Sequence, residues 1–187
     1  LPDPRVSSIV MDKSGKYWIV NRSGLMIYDP GKPLDSSVTR LDTIHKIWKN
    51  LPDLSNISKP IQLRIDNSGI IWAAVNEKNG ILKINPTKLT FDFIEVQSEN
   101  KAEKLNFYDI QIDNKNEEIW ALSKNFGVCK ISLKTGKVIR FENTLKKELQ
   151  RVWNEKDDIL QKSQFWWSAD GYLWCMAKDK PFVHFNL

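Results

Sequence analysis

Residues 63–74, LRIDNSGIIWAA, decide the fold because their pattern occurs four times along the chain. Leu63 and Ile65 flank Arg64 in the period-two alternation of a strand. Asp66 to Gly69 follow as a tight polar turn, in which Asp and Asn side chains bond the local backbone and Gly accepts positive φ. Trp72 then opens a second strand, so the stretch reads as a hairpin. The other copies are residues 9–20 (IVMDKSGKYWIV), 110–122 (IQIDNKNEEIWAL) and 165–176 (FWWSADGYLWCM).

The tryptophans of the four copies, Trp18, Trp72, Trp120 and Trp174, are 54, 48 and 54 residues apart. A period near 50 residues with strands inside it is that of propeller blades. A third strand follows each hairpin in Gly24 to Tyr28, Gly80 to Ile84 and Gly127 to Ile131, with Phe182 to Phe185 after Pro181 in the last copy. Fourth strands are expected at Val38 to Leu41, Thr90 to Val96 and Val138 to Glu142, whereas the last copy stops after its third. Four antiparallel strands make one blade. The chain is therefore expected to be all-β, with blades at approximately 6–42, 60–97, 107–143 and 163–187. Leu1-Pro-Asp-Pro-Arg5 is a poor source of a missing outer strand, since proline cannot join a ladder interior. The expectation is a cut from a ring of about seven or eight blades, or chains pairing to finish one, with a four-bladed ring as the alternative.

Composition narrows the partners. The 187 residues carry a net charge of +5, but only 6 of the 28 cationic residues are arginine and the lysines are scattered, which describes a solvated surface rather than a nucleic-acid groove. The longest apolar run, Ile70 to Val75, is far short of the roughly 20 residues a bilayer requires, so no membrane contact is expected of this segment. Cys129 and Cys175 lie in apolar strand windows and read as small buried hydrophobes, with a disulfide between them left open. The start at Leu1 without Met reads as a piece of a longer product.

The repeats resemble the propeller repeats of two-component regulators, the periplasmic sensor regions of Bacteroidetes-type hybrid histidine kinases. Asp12, Gly15, Trp18, Gly24, Leu25 and Tyr28 match that pattern throughout. Asp66, Gly69, Trp72 and Gly80 match most of it, while the third copy, Asp113, Trp120 and Gly127, lacks the first glycine and the fourth, Gly171 and Trp174, lacks the leading Asp. The resemblance implies a periplasmic sensor of oligosaccharides released from polysaccharides, with the kinase activity elsewhere in the parent protein. It implies an architectural role for the repeat residues themselves, so recognition should fall between repeats.

Long connections are expected at Asp42 to Lys59, Gln97 to Asn106 and Asn143 to Lys162, on the same face as the turns between second and third strands. The last holds Leu145, Leu149, Val152, Lys156 and Ile159 at helical spacing, which predicts an amphipathic helix near 144–161 capped by Asn143 or Thr144 and packed on the propeller face. Trp48 and Trp153 stand outside the repeat, and an indole suits stacking on a sugar ring as well as pinning a loop to the core. Trp166 stands on a strand phase occupied by Val10, Arg64 and Gln111 in the earlier copies, so it either lines an opening or packs between blades. Arg22, Asn76 and Asn125 are polar candidates just before third strands.

The rival classes are a protein-interaction scaffold and a propeller lyase or glycoside hydrolase. Sialidase boxes set Asp five residues before Trp and add an arginine cluster, whereas here the spacing is six or seven and arginines are few. Lyase chemistry needs convergent histidines, and His45 and His184 occupy a loop and a third strand. No metal-ligand spacing or phosphate loop occurs, so neither a cofactor nor catalysis by this chain is expected. The expected partners are an oligosaccharide and either the remaining blades or a second copy.

Overall fold

The computed structural model describes residues 6–21, 24–33, 36–40, 62–75, 80–96, 107–113, 115–123, 127–154, 164–168 and 172–185. It falls into two compact units, Leu1–Gln97 and Ser98–Leu187.

The first unit holds two antiparallel four-stranded meanders, β1 (Val6–Met11), β2 (Tyr17–Asn21), β3 (Gly24–Tyr28), β4 (Val38–Arg40) and β5 (Leu63–Ile65), β6 (Ile71–Val75), β7 (Gly80–Asn85), β8 (Thr90–Glu95). Each repeat window becomes the first hairpin of its sheet, with Val10 opposite Trp18 and Arg64 opposite Trp72. Because successive side chains point to opposite faces, Trp18, Val20, Leu25 and Ile27 share one face of the first sheet. That face forms a common core with Leu63, Ile71, Ala73, Leu82 and Ile84 of the second. The inner strands are tied directly: the Ser8 hydroxyl accepts the Leu63 N–H at 2.9 Å. At the hairpin tips the Lys13 ammonium donates to the Asn67 carbonyl at 3.0 Å.

The second unit holds β9 (Phe107–Asp113), β10 (Glu118–Ser123), β11 (Gly127–Ser132) and β12 (Val138–Arg140), then α1 (Glu142–Trp153), then β13 (Gln164–Trp167), β14 (Leu173–Met176) and β15 (Val183–Phe185). Its first sheet is four-stranded, and its second has three strands among the described residues. Cys129 and Cys175 are both buried thiols.

The helix corrects two expectations. It begins at Glu142, where the sequence reading had the end of a strand, and its N-cap is Phe141 rather than Asn143 or Thr144. Phe141 holds both elements at once: its N–H donates to the Val128 carbonyl on β11 and its carbonyl accepts the Leu145 N–H, each at 3.0 Å. The C-cap of this helix is Asn154, in the left-handed conformation that ends many helices (φ 53°, ψ 40°); Lys156 and Ile159, expected to extend it, lie outside the described residues. Its buried stripe is Leu145, Leu149 and Trp153, spaced by four, while Val152 is 41% exposed. That stripe belongs to one core with Leu122 and Val128 of the preceding sheet and Leu173 and Cys175 of the following one.

Candidate functional site

Antiparallel meanders sort the connections by sheet end. In the first sheet Val6 and Gly24 both lie opposite Asn21, so the entry to the blade and the β2–β3 turn share one end. The hairpin from Met11 to Tyr17 and the connection from Tyr28 to Val38 share the other. The same order of strands repeats in the second and third sheets.

The hairpin end is locked by its aspartates. Oδ1 of Asp12 accepts the Ser14 N–H at 2.8 Å, the Ser14 hydroxyl at 2.6 Å and the Lys16 N–H at 3.1 Å, and Oδ2 accepts the Trp18 indole N–H at 2.8 Å. Gly15 sits at φ 83°, which the turn requires and side-chain-bearing residues avoid. Asp66 repeats the arrangement with the Ser68 hydroxyl at 2.6 Å, the Ile70 N–H at 2.9 Å and the Trp72 indole at 2.9 Å, and Gly69 takes φ 92°. Burial works to raise the carboxyl pKa of both, but the hydrogen bonds from serine, tryptophan and backbone outweigh it and hold each below the ordinary aspartate value.

The later copies solve the turn differently. Asp113, one residue farther from its tryptophan, bonds the Lys115 and Asn116 N–H groups and the Asn116 side-chain amide, and Glu117 takes the positive φ of 54° in place of glycine. In the last copy the Ser168 hydroxyl accepts the Tyr172 N–H at 3.2 Å. From the sequence, aspartate reads as a turn former and the repeat tryptophan as the opening of the second strand; the bond between them at Asp12 and Asp66 joins those roles. The constant separation of six residues, Asp12 to Trp18 and Asp66 to Trp72, was the signal for it.

Arg22, Asn76, Asn125 and Trp48 lie outside the described residues, as does Gly171 of the fourth repeat. Asn21 and Ser123, each the third residue after its repeat tryptophan, are described and are buried polar side chains closing β2 and β10.

Trp153 is 6% exposed and its indole N–H donates to the Pro181 carbonyl at 2.9 Å, fastening α1 beside the last hairpin. Trp166 instead belongs to a row running across β13, β14 and β15, opposite Trp174, which lies opposite His184. The Trp166 and Trp174 rings stack with centroids 6.5 Å apart, and Trp174 lies 5.0 Å from the His184 ring. Tyr172 contacts His184 at 5.4 Å, and Phe182 meets Trp166 edge-on at 6.0 Å. The sequence reading singled out Trp166 alone; its neighbours became visible only once the strand register was known. In the second and third sheets the same row is polar, with Lys83 over the Trp72 ring and Lys130 over Trp120, each at 5.6 Å.

Among the described residues no cluster of three or more His, Cys, Asp or Glu side chains could hold a metal ion, and no helix is long and apolar enough to cross a membrane.

No family model matches the chain, and no curated protein matches its sequence. Solved structures do. Virginiamycin B lyase from Staphylococcus aureus superimposes with a TM-score of 0.54 at 17% identity, over 97% of this chain and 55% of its own. The extracellular domain of a hybrid two component system from B. thetaiotaomicron matches with a TM-score of 0.50 at 17% identity, over 98% of this chain and 25% of its own. YCF48, solved with a bound peptide, matches with a TM-score of 0.54 at 12% identity, over 97% of this chain and 50% of its own. The chain thus spans about half the length of the lyase and a quarter of that extracellular domain. At these identities the likeness is one of fold, a propeller-type fold built of antiparallel sheets.

Proposed function

We propose that this chain is part of the periplasmic sensor propeller of a hybrid two-component signalling protein, that it recognises an oligosaccharide without transforming it, and that the histidine kinase activity lies elsewhere in the parent. The observation that carries this reading is the contrast between the two ends of the sheets. One end is closed by short hairpins locked by Asp12 and Asp66. At the other end of the first two sheets β2 hands over to β3 and β6 to β7, and connections on a rigid scaffold are the usual place for recognition. Trp48, Arg22, Asn76 and Asn125 are the proposed contacts there, an indole to stack on a pyranose face and polar groups to pair with its hydroxyls. The fold likeness to an extracellular domain of a hybrid two component system supports the same reading.

The test is titration with a panel of plant and host oligosaccharides, followed by tryptophan fluorescence and calorimetry, on this chain and on the parent propeller. Saturable binding that disappears in Trp48→Ala or in one of the Arg22, Asn76 and Asn125 alanine variants is expected. Binding lost only in Trp166→Ala would move the site to the aromatic row, and no binding by either protein would reject the sensor reading. A scaffold reading is favoured by one observation, the aromatic row of the last sheet, whose Phe182 is 65% exposed.

A further inference from the structure

One register position changes its chemistry from sheet to sheet. The third-strand residue opposite the repeat tryptophan is Ile27 for Trp18, Lys83 for Trp72, Lys130 for Trp120 and His184 for Trp174. In the first sheet Ile27 and Trp18 are both buried and pack in the core. In the second and third, the lysine holds its ammonium over the indole, 5.6 Å from the ring centroid in each case. The negative face of an aromatic ring attracts a cation, so lysine and tryptophan stabilise each other there.

The last sheet sets an imidazole in that place. The His184 ring lies 5.0 Å from Trp174, tilted by 34°. The neighbouring diagonal changes with it: two residues before the repeat tryptophan, Glu118 pairs with Lys130 at 3.1 Å, whereas Tyr172 lies 5.4 Å from His184. In the third sheet a fixed cation thus meets an indole and a carboxylate; in the last, a titratable ring meets two aromatic rings. His184 is exposed, so protons reach it from solvent. Histidine is the side chain that ordinarily changes charge between about pH 5 and 8. Of the ionisable groups on the elements around it, β13 contributes none, and Cys175 of β14 belongs to the opposite face, in the core with α1. Lys178, Asp179 and Lys180 lie on the turn before β15, Glu148 and Arg151 of α1 pair with each other at 2.9 Å, and Asp170, two residues before Tyr172, lies outside the described residues.

We infer that His184 is a proton-dependent counterpart of Lys83 and Lys130. Neutral, it is one more ring of the row that runs from Trp166 through Trp174. Protonated, it sets a cation against Trp174 and Tyr172, in the register position where the lysines hold theirs. The face that carries Phe182, 65% exposed, then turns from a neutral aromatic surface into a cationic one. The last sheet thereby carries an acid-responsive surface where the second and third carry a fixed charge.

The test is nuclear magnetic resonance of the whole chain between about pH 8 and about pH 5, a range in which Asp12 and Asp66, held below the ordinary aspartate value, keep their charge. The Trp174 indole signal, identified by its loss in Trp174→Phe, is expected to move in a single step together with the His184 ring signals. His184→Gln should abolish that step. Trp174→Leu, checked by circular dichroism for an unchanged fold, should lower the proton affinity of the His184 ring about two- to fivefold, the worth of an exposed cation–π contact. Asp170→Asn should leave both the step and the affinity unchanged. A His184 ring that titrates without moving the Trp174 signal overturns the inference, as does a step that survives in His184→Gln. So does an affinity that is unchanged or higher in Trp174→Leu, and so does one that falls further in Asp170→Asn than in Trp174→Leu, which would make a carboxylate the partner of the cation.

Discussion

The carboxylate of Asp12 accepts the indole N–H of Trp18 at 2.8 Å, six residues away across the hairpin it shapes. Trp18 is 1% exposed, so its N–H has exchanged water for that single carboxylate. Removing the carboxylate leaves a buried donor without a partner, which costs about 1–3 kcal/mol. Asp12→Ala is therefore expected to lower the urea stability of the first unit by about 2 kcal/mol. Trp18→Phe should cost less in an Asp12→Ala background than in wild type, since the bond it would break is already gone. Asp113, whose partners are exposed turn groups, is the control: Asp113→Ala should cost about 1 kcal/mol or less. Equal effects at the two aspartates would contradict this account.

The same bonds set a pH dependence. Despite burial, which acts in the opposite direction, the Ser14, Trp18 and backbone bonds hold the Asp12 carboxyl below its ordinary value, and Asp66 is held likewise. A carboxyl with a depressed folded pKa stabilises the fold fully above the unfolded value, near 3.9, and loses that contribution as pH falls through the folded one. Unfolding midpoints should thus be flat from neutrality down to about pH 5 and then fall as acid is added. Replacing both aspartates with asparagine should flatten the acid limb while lowering the plateau. A steep limb that persists in the double variant would place the acid sensitivity elsewhere.

Much of the fold was legible because four copies of one pattern confirm each other. Asp12, Gly15 and Trp18 in one window and Asp66, Gly69 and Trp72 in another define the same hairpin, and strand phase follows from period two. The helix was legible as an element but not in its limits. Phe141 is an apolar residue capping through its backbone alone, so no capping side chain marked the start at Glu142. Trp153 replaced Val152 in the buried stripe because the helix presents positions four apart, Leu145, Leu149 and Trp153, to both neighbouring sheets. The aromatic row around Trp166 was out of reach for a different reason. It depends on strands separated in sequence coming into register, and only Trp166 stood out by its phase.

Gly80 opens the third strand of its sheet, as its sequence position indicates, and carries a second requirement that the sequence does not display: it is the first residue of β7 and the ring of Phe93, on β8, covers it. A Cβ there would overlap that ring. Gly80→Ala should destabilise the first unit by about 1–3 kcal/mol through overpacking. Phe93→Leu, which withdraws the ring, should make the same substitution nearly neutral, and thermal melts of the four combinations would measure the coupling. Independent, additive effects would show that the ring does not set the requirement.

The helix supplies the last expectation. Trp153 contributes a buried ring and one hydrogen bond to the Pro181 carbonyl, so two substitutions separate the contributions. Trp153→Phe keeps most of the packing and strands the carbonyl, at about 1–2 kcal/mol; Trp153→Ala also opens a cavity, at about 3–5 kcal/mol. Val152→Ala, one residue away on the exposed side, should stay within about 0.5 kcal/mol. Chemical denaturation of the second unit, followed through the helix signal at 222 nm in far-ultraviolet dichroism, would read all three. An effect at Val152 as large as that at Trp153 would mean that the helix presents a different face to the core. A negligible cost for Trp153→Phe beside a large one for Trp153→Ala would mean that ring packing, not the bond to Pro181, anchors the helix to the last sheet.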